Sequence, residues 1–204
     1  MTASKSWALV VAGYSILAVA MLAFLTVNGI SAATAGTVAT AGLIGLGLLI
    51  PAAGLLWAAR RMEHPRGAAG KGLVLQSLSL IGLLIGLVVS FVASSLPGYL
   101  VAAVFIVLSG TSGLVGAVFL AKEAGARQLI VSAALIAIGA VLIPASNIAA
   151  TYWISGVEKN VYQDIGATLA GCGCVLAAYS VFILRSRGRR LWFRGLGTPS
   201  GPPR

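Results

Sequence analysis

The sequence predicts an all-α fold, a polytopic membrane protein built as a bundle of six transmembrane helices. Of its 204 residues, 59% are hydrophobic and only 9% are charged, whereas a soluble domain carries about 25% charged residues. The apolar residues form six continuous runs joined by short polar segments. Runs of about 20 apolar residues predict membrane helices, because a membrane strand needs only about ten residues of alternating pattern.

The first three spans are bounded mainly by basic residues. The first, residues 7–28, follows a lysine and is longer than the apolar core of a signal peptide, so we expect it to remain in the protein as a helix. The second, residues 38–59, ends at an arginine pair and contains a proline. The third, residues 72–95, begins after a lysine and is rich in leucine and glycine.

The last three spans follow the same pattern. The fourth, residues 98–121, ends before a lysine, and the fifth, residues 128–152, begins after an arginine. The sixth, residues 165–184, ends at an arginine-rich segment. We expect Glu158 and Asp164 to lie in the loop before this last span.

The basic residues are divided unequally between the two sides of the predicted bundle. Only Lys159 lies on one side, and all the others lie on the side of both termini. These others are Lys5, Arg60, Arg61, Arg66, Lys71, Lys122, Arg127, Arg185, Arg187, Arg189, Arg190, Arg194 and Arg204. Because loops rich in Lys and Arg stay in the cytoplasm, we expect both termini to be cytoplasmic. The short loops and the Ala- and Gly-rich composition favour a prokaryotic plasma membrane.

The six spans form one domain, residues 1–190, and residues 185–204 form a basic tail that we expect to be flexible. Basic and aromatic side chains in this tail are suited to contact anionic lipid headgroups. The lipid-contacting candidates are Arg187, Arg189, Arg190, Trp192 and Arg194. The alternative is that the arginines only anchor the topology. The net charge of +10 does not predict a nucleic-acid partner, because membrane topology alone requires this distribution.

No Asp, Glu, Lys, Arg or His lies within the predicted spans, and this absence excludes several functions. Ion-coupled transport, voltage sensing, haem ligation and intramembrane proteolysis each need such residues at depth. We therefore expect that the protein is not an enzyme and that it uses no metal or other cofactor. Cys172 and Cys174 are two residues apart on one helix, which favours packing, with a thiol role as the alternative.

Small residues predict where the helices touch. Gly82 and Gly86 are four residues apart on the third helix, and Gly110, Gly113 and Gly116 are three apart on the fourth. Such stripes let helix backbones approach closely in lipid, where the hydrophobic effect does not hold helices together. They predict tight packing within or between protomers, and a homo-oligomer or a complex with other membrane subunits is the expected assembly.

A repeated tetrapeptide suggests internal symmetry. The sequence Leu-Ile-Pro-Ala occurs at 49–52 in the second helix and at 142–145 in the fifth. The same shift places the first three spans on the last three, which predicts an inverted repeat of three helices each. A chance match is the alternative, because a chain rich in Leu, Ile and Ala readily repeats short words.

Paired proline-interrupted helices in inverted halves point to a transport site. The candidate solute-binding residues are Pro51, Pro144, Ser146 and Asn147. Neutral polar groups that would extend this site are Gln76, Ser77, Ser79, Ser109, Thr111 and Ser112. The alternative role for each is an ordinary hydrogen bond between helices.

Two functions remain. One is a small channel, facilitator or transporter subunit for an uncharged or weakly polar solute. The other is a noncatalytic subunit of a larger membrane complex, which fits the short loops and the small-residue faces. The second and fifth helices distinguish these hypotheses, because they enclose a polar cavity in the first and pack together without one in the second.

Overall fold

The computed structural model describes residues 3–29, 34–60, 67–92, 95–124 and 127–191. Within these ranges it contains six helices and no strand, which confirms the all-α prediction. The helices are α1 Ala3–Gly29, α2 Thr34–Arg60, α3 Ala68–Val92, α4 Leu96–Ala124, α5 Gln128–Tyr152 and α6 Gly156–Leu191. Each is long and apolar enough to cross a membrane, so the fold is that of a multi-pass membrane protein.

Much of the apolar surface faces outward. Between 39% and 44% of the most apolar window of each span is buried inside the molecule. Large apolar side chains on the outside, such as Leu22, Val92 and Leu108, are more than half exposed. Water-soluble monomers rarely expose a continuous apolar surface of this extent. The outer surface therefore suits a bilayer, in which helices satisfy their own backbone and present apolar side chains to lipid.

The sixth helix is longer than the sequence predicted, since it begins at Gly156 rather than at residue 165. A capping box fixes its start. The amide N–H and the hydroxyl of Ser155 donate to Glu158 Oε2 at 2.8 and 3.0 Å, and the Glu158 N–H donates to Ser155 Oγ at 3.3 Å. These bonds satisfy donors that a helix start leaves free. Glu158 and Asp164 therefore lie within a helix and not in a loop, which corrects the prediction.

At its other end, α6 continues to Leu191. Residues 185–191 are helical in the structure, whereas the sequence predicted a flexible tail from residue 185. Arginine and leucine are both strong helix formers, which favours continuation of the helix through this segment. Residues 192–204 lie outside the described ranges.

The helices form a closed ring in which each packs against its neighbours in the sequence and α6 packs against α1. Consecutive helices run antiparallel. In the α1/α2 pair, for example, Gly54 near the end of α2 contacts Val10 near the start of α1, and Gly47 contacts Leu17. Helices α2 and α5 are not neighbours in this ring. In the described part of the chain, the two proline-containing helices thus do not pack against each other.

One end of the ring, which we call the basic end, holds the starts of α1, α3 and α5 and the ends of α2, α4 and α6. Four exposed basic residues of the described ranges lie there, namely Arg60, Lys71, Lys122 and Arg127. The opposite end carries Lys159 near the start of α6. The alternating helix directions therefore bring these four basic residues to one end, as the sequence predicted.

The closest backbone approaches at glycine lie within three antiparallel pairs, α1/α2, α3/α4 and α5/α6. A Cβ added at Gly116 of α4 would lie 2.8 Å from the carbonyl oxygen of Gly72 of α3, and one at Gly86 would lie 3.2 Å from the carbonyl oxygen of Ala102 of α4. A Cβ at Gly173 of α6 would meet the α5 backbone at a similar distance. The glycine stripes of α3 and α4 therefore mark helix contacts within one protomer. These contacts group the helices in pairs, whereas the predicted repeat groups them in two sets of three. The contacts do not test the repeat, so the inverted repeat stays a prediction.

Candidate functional site

A cavity of about 40 Å³ lies inside the helix ring, and all six helices contribute to its wall. We call it the axial cavity. Its lining residues are Trp7, Tyr14, Leu55, Leu73, Gln76, Leu120, Leu129, Ser132, Ala133, Ile136, Ala177 and Val181. They come from the first halves of α1, α3 and α5 and from the last halves of α2, α4 and α6. The axial cavity therefore lies towards the basic end.

Helical periodicity explains why these side chains share one wall. On α5, Leu129, Ser132, Ala133 and Ile136 are spaced by three or four residues, so they lie on one face of the helix. The same rule places Tyr14 two turns beyond Trp7 on α1. Each helix thus turns one stripe of residues towards the ring axis and leaves its other faces for neighbouring helices or lipid.

A smaller cavity of about 10 Å³ lies deeper in the bundle. It shares Tyr14, Gln76, Ala133 and Ile136 with the axial cavity, and we call these four residues the junction. Tyr14 lies near the middle of the apolar span Ser6–Leu25, so the junction is close to the middle of the membrane. The two cavities have room for roughly three and one water molecules.

Two polar atoms at the junction have no hydrogen bond to another described residue. They are the hydroxyl oxygen of Tyr14 and the side-chain carbonyl oxygen of Gln76, whose Nε2 donates to the Gly113 carbonyl at 2.6 Å. Every fully buried side-chain nitrogen or oxygen of the described residues has a partner, so these two atoms retain accessible surface. Because they line the cavities, water or a polar solute in the cavities can satisfy them.

The rest of the cavity wall offers fewer free hydrogen-bonding groups. The Ser132 hydroxyl already donates to the Leu129 carbonyl of its own helix at 3.1 Å. Ser79 lines the smaller cavity. Trp7, whose indole carries an N–H group, lines the axial cavity, and the other lining side chains are apolar. No residue that lines either cavity carries a formal charge. The site can therefore offer a few hydrogen bonds within an apolar wall, and it offers no ion a counter-charge.

The two predicted proline positions lie in helix interiors and line neither of these two cavities. Pro51 and Pro144 are both almost completely buried, and α2 and α5 continue through them. The Pro51 ring packs where α1 comes closest, since a Cβ at Gly13 would lie 2.7 Å from the Pro51 nitrogen. Neither proline lines the axial cavity or the smaller one. Their assignment to a solute site stays a prediction.

The other two predicted site residues form hydrogen bonds between or within helices. Ser146 Oγ donates to the Ile143 carbonyl of its own helix at 2.7 Å. Asn147 Oδ1 accepts from Gln163 Nε2 at 3.1 Å, and Asn147 Nδ2 donates to Ser90 Oγ at 3.4 Å. The two Asn147 bonds connect α3, α5 and α6 near the end opposite the basic end. They are interhelical hydrogen bonds, the alternative role that the sequence left open for Asn147.

The wider set of predicted polar residues divides between the cavity and the helix contacts. Gln76 lines both cavities, and Ser79 lines the smaller one. Ser77 Oγ donates to the Ala52 carbonyl at 2.9 Å and so links α3 to α2. Thr111 and Ser112 each donate to a carbonyl of their own helix. The sequence thus identified part of the cavity wall through Gln76 and Ser79.

The predicted lipid-contacting residues lie at the edge of the described chain. Arg187, Arg189 and Arg190 belong to the last turns of α6 at the basic end, and their side chains are not among those described. Trp192 and Arg194 lie outside the described residues. Contact of these five residues with lipid headgroups stays a prediction.

Two residues of the site were missed by the sequence reasoning. No role in a site was predicted for Trp7, but it packs against the core and lines the axial cavity. Tyr14 received no role, although a polar aromatic residue in the middle of an apolar run indicates that a polar group lies nearby. A buried tyrosine hydroxyl usually has a polar neighbour, so its position alone indicated a polar interior.

The described residues contain no group of three or more His, Cys, Asp or Glu side chains that could hold a metal ion. No protein-family model matches the chain, and no curated protein or solved structure matches it either.

Proposed function

We propose that the protein facilitates the passage of a small, uncharged or weakly polar solute across the membrane, through the axis of its helix ring. The observation that carries the proposal is the axial cavity, because all six helices contribute to it. A cavity between two helices can be a packing defect, whereas a space on the axis of a closed ring lies where a path would run. Ligand sites of helix bundles commonly form between the helices in this way.

The wall of the cavity supports a neutral solute. It combines apolar side chains with Tyr14 and Gln76 and includes no charged residue. An ion entering such a space would lose its water without gaining carbonyl or charged ligands, which channels for ions provide. A neutral molecule loses less hydration free energy than an ion when it leaves water, and a few hydrogen bonds to the wall can replace its hydration.

The path is closed beyond the smaller cavity. Buried apolar side chains fill the core there, including Met21, Phe24 and Leu87. The solute therefore enters from the basic end, and passage requires a second conformation in which the far half of the ring opens. A solute that binds the open conformation more tightly would shift the population towards it.

The orientation of this path follows from the charges. The basic end faces the cytoplasm of a prokaryotic cell, because Lys and Arg near span ends are retained on the cytoplasmic side. The axial cavity is then the cytoplasmic half of the path. Both termini lie on the same side as its entrance.

The test is solute flux with a blocked cavity. Purified protein in liposomes is expected to accelerate the swelling or shrinking that follows a urea gradient, measured by stopped-flow light scattering against empty liposomes. Ala133→Phe, at the junction, is expected to reduce the added urea permeability about 10-fold or more, because a phenyl ring occupies more space than the cavity offers. Ala145→Phe on the same helix is the control, since Ala145 is exposed on the outer surface.

The comparison requires that both variants elute as single, well-shaped species in size-exclusion chromatography. Equal flux through the two variants would contradict an axial path. Absence of flux from the unmodified protein, together with recovery of a stoichiometric partner after gentle extraction, would favour the noncatalytic subunit of a larger complex.

A further inference from the structure

Two side chains on the wall of the axial cavity each carry a polar atom that no described residue satisfies, the Tyr14 hydroxyl and the Gln76 side-chain carbonyl. Ser132, another polar side chain on that wall, donates to its own helix. Both unsatisfied groups belong to residues shared with the smaller cavity. Anything that passes from one cavity to the other therefore passes between them.

The Gln76 amide is held in one orientation. A backbone carbonyl can only accept a hydrogen bond, so the amino group of Gln76 has to face the Gly113 carbonyl, which lies 2.6 Å from Nε2. The Oε1 atom consequently remains as an acceptor with no partner among the described residues. Tyr14 offers a hydroxyl that both donates and accepts. The junction thus presents a fixed acceptor together with an adjustable donor.

We propose that Tyr14 and Gln76 form a hydrogen-bonding site for a neutral solute that carries both an N–H or O–H donor and an oxygen acceptor. The solute donates to Gln76 Oε1 and accepts from the Tyr14 hydroxyl. It contains no more than about four non-hydrogen atoms, because the two cavities together hold roughly four water molecules. Small amides such as urea have this size and chemistry. The inference rests on the proposed function and names the solute class and the residues that select it.

The site also explains the burial of polar groups at this depth. An unpaired hydroxyl or amide in an apolar environment is unfavourable, yet Tyr14 is only 5% exposed. A bound solute or water replaces the missing partners. Molecules that lack a donor or an acceptor leave one of the two groups unpaired, and a site of that kind discriminates strongly against them.

The test compares substitutions that differ in one hydrogen-bonding group. Tyr14→Phe removes the hydroxyl and keeps the ring, and Gln76→Met removes the amide at similar length. Each is expected to reduce urea permeability of the reconstituted full-length protein roughly 3- to 10-fold, the effect of one lost hydrogen bond. Ser15→Ala is the matched control beside Tyr14. Ser15 is exposed and lines neither cavity, and its hydroxyl donates to the Val11 carbonyl of its own helix at 2.9 Å. Its flux is therefore expected to change less than about twofold.

The outcomes separate this inference from the proposed function. Urea flux that survives both Tyr14→Phe and Gln76→Met unchanged, but is blocked by Ala133→Phe, overturns the hydrogen-bonding site and leaves the axial path intact. Water flux without urea flux in the unmodified protein overturns the solute class. Absence of any flux above empty liposomes overturns both proposals. Thermal unfolding of each variant verifies that it is folded, and Tyr14→Phe is the variant least able to disturb packing.

Discussion

At the scale of single residues, proline and glycine act as a pair where α1 meets α2. Pro51 lacks an amide proton and so cannot complete the helical hydrogen bond of its position. Gly13 lets the α1 backbone approach the proline ring, because any side chain there would overlap it. Pro51 is thus a close-packing element in the structure, and its assignment to a solute site stays a prediction.

This pair leads to a prediction about stability. Gly13→Ala is expected to destabilise the protein by roughly 1–3 kcal/mol, because the added Cβ would lie 2.7 Å from the Pro51 nitrogen, a rigid backbone atom. The measurement is thermal unfolding in detergent, followed by circular dichroism.

The matched control is Gly42→Ala in the same helix pair. A Cβ at Gly42 meets nothing within 4 Å, so this substitution is expected to be neutral or to stabilise by up to about 1 kcal/mol through better helix propensity. Equal losses of stability from both substitutions would refute the close approach at Pro51.

The polar residues illustrate how far sequence reasoning reaches at this scale. A neutral amide side chain within an apolar span predicts a hydrogen-bond partner in the protein, since lipid tails cannot provide one. Both Gln76 and Asn147 have such a partner. The sequence does not reveal which amide faces a cavity. Gln76 uses only its donor side, whereas Asn147 uses donor and acceptor together. That difference depends on the rotation of neighbouring helices, which no local pattern encodes.

At the scale of the elements, five of the six helices lie close to their predicted bounds, and α5 matches them at both ends. Long apolar runs determine these helices, because lipid leaves the backbone no alternative partner. The start of α6 differs because hydropathy falls at Glu158 and Lys159, although the local capping signal Ser155–Gly–Val–Glu158 was present in the sequence. Helix capping is independent of hydropathy, and so a helix can begin before its apolar run.

The cap can be tested by removing it. Ser155→Ala deletes the side chain that both donates to and accepts from Glu158, and it is expected to destabilise the first turns of α6 by about 1 kcal/mol. Hydrogen–deuterium exchange is expected to rise in peptides that cover residues 156–164 and to stay unchanged near the basic end. Thr168→Ala, which removes a bond within the same helix, is the control. If exchange of residues 156–164 rises in Thr168→Ala but not in Ser155→Ala, the role of the cap is contradicted.

At the scale of the whole molecule, the ring could not be predicted from the sequence. Each span is apolar on all sides, so hydropathy does not distinguish the face turned to lipid from the face turned to the axis. Only the small-residue stripes carried such information, and they correctly located contacts of α3 and α4. The closure of α6 on α1 depends on how the helices pack in three dimensions, and the axial cavity is a consequence of that closure.

The orientation of the ring gives a prediction that intact cells can test. In a background with Cys172→Ala and Cys174→Ala, Lys159→Cys is expected to react with a membrane-impermeant maleimide added outside, because we propose that the end opposite the basic end faces outward. Arg127→Cys, on an exposed position of the basic end, is expected to react only after the cells are lysed. The reverse labelling pattern would place the basic end outside and invert the proposed direction of entry.

The closed ring also has a consequence for biogenesis. Five of its six interfaces join helices that are consecutive in the chain, so each can form as soon as the second helix of the pair has been inserted. The α6/α1 interface is the exception, because its partners are separated by the length of the chain. During synthesis the first five helices would therefore form an open arc, which exposes Tyr14 and Gln76 to lipid until α6 is inserted. A chain that stalls before α6 would present those polar groups to the proteases that remove misassembled membrane proteins.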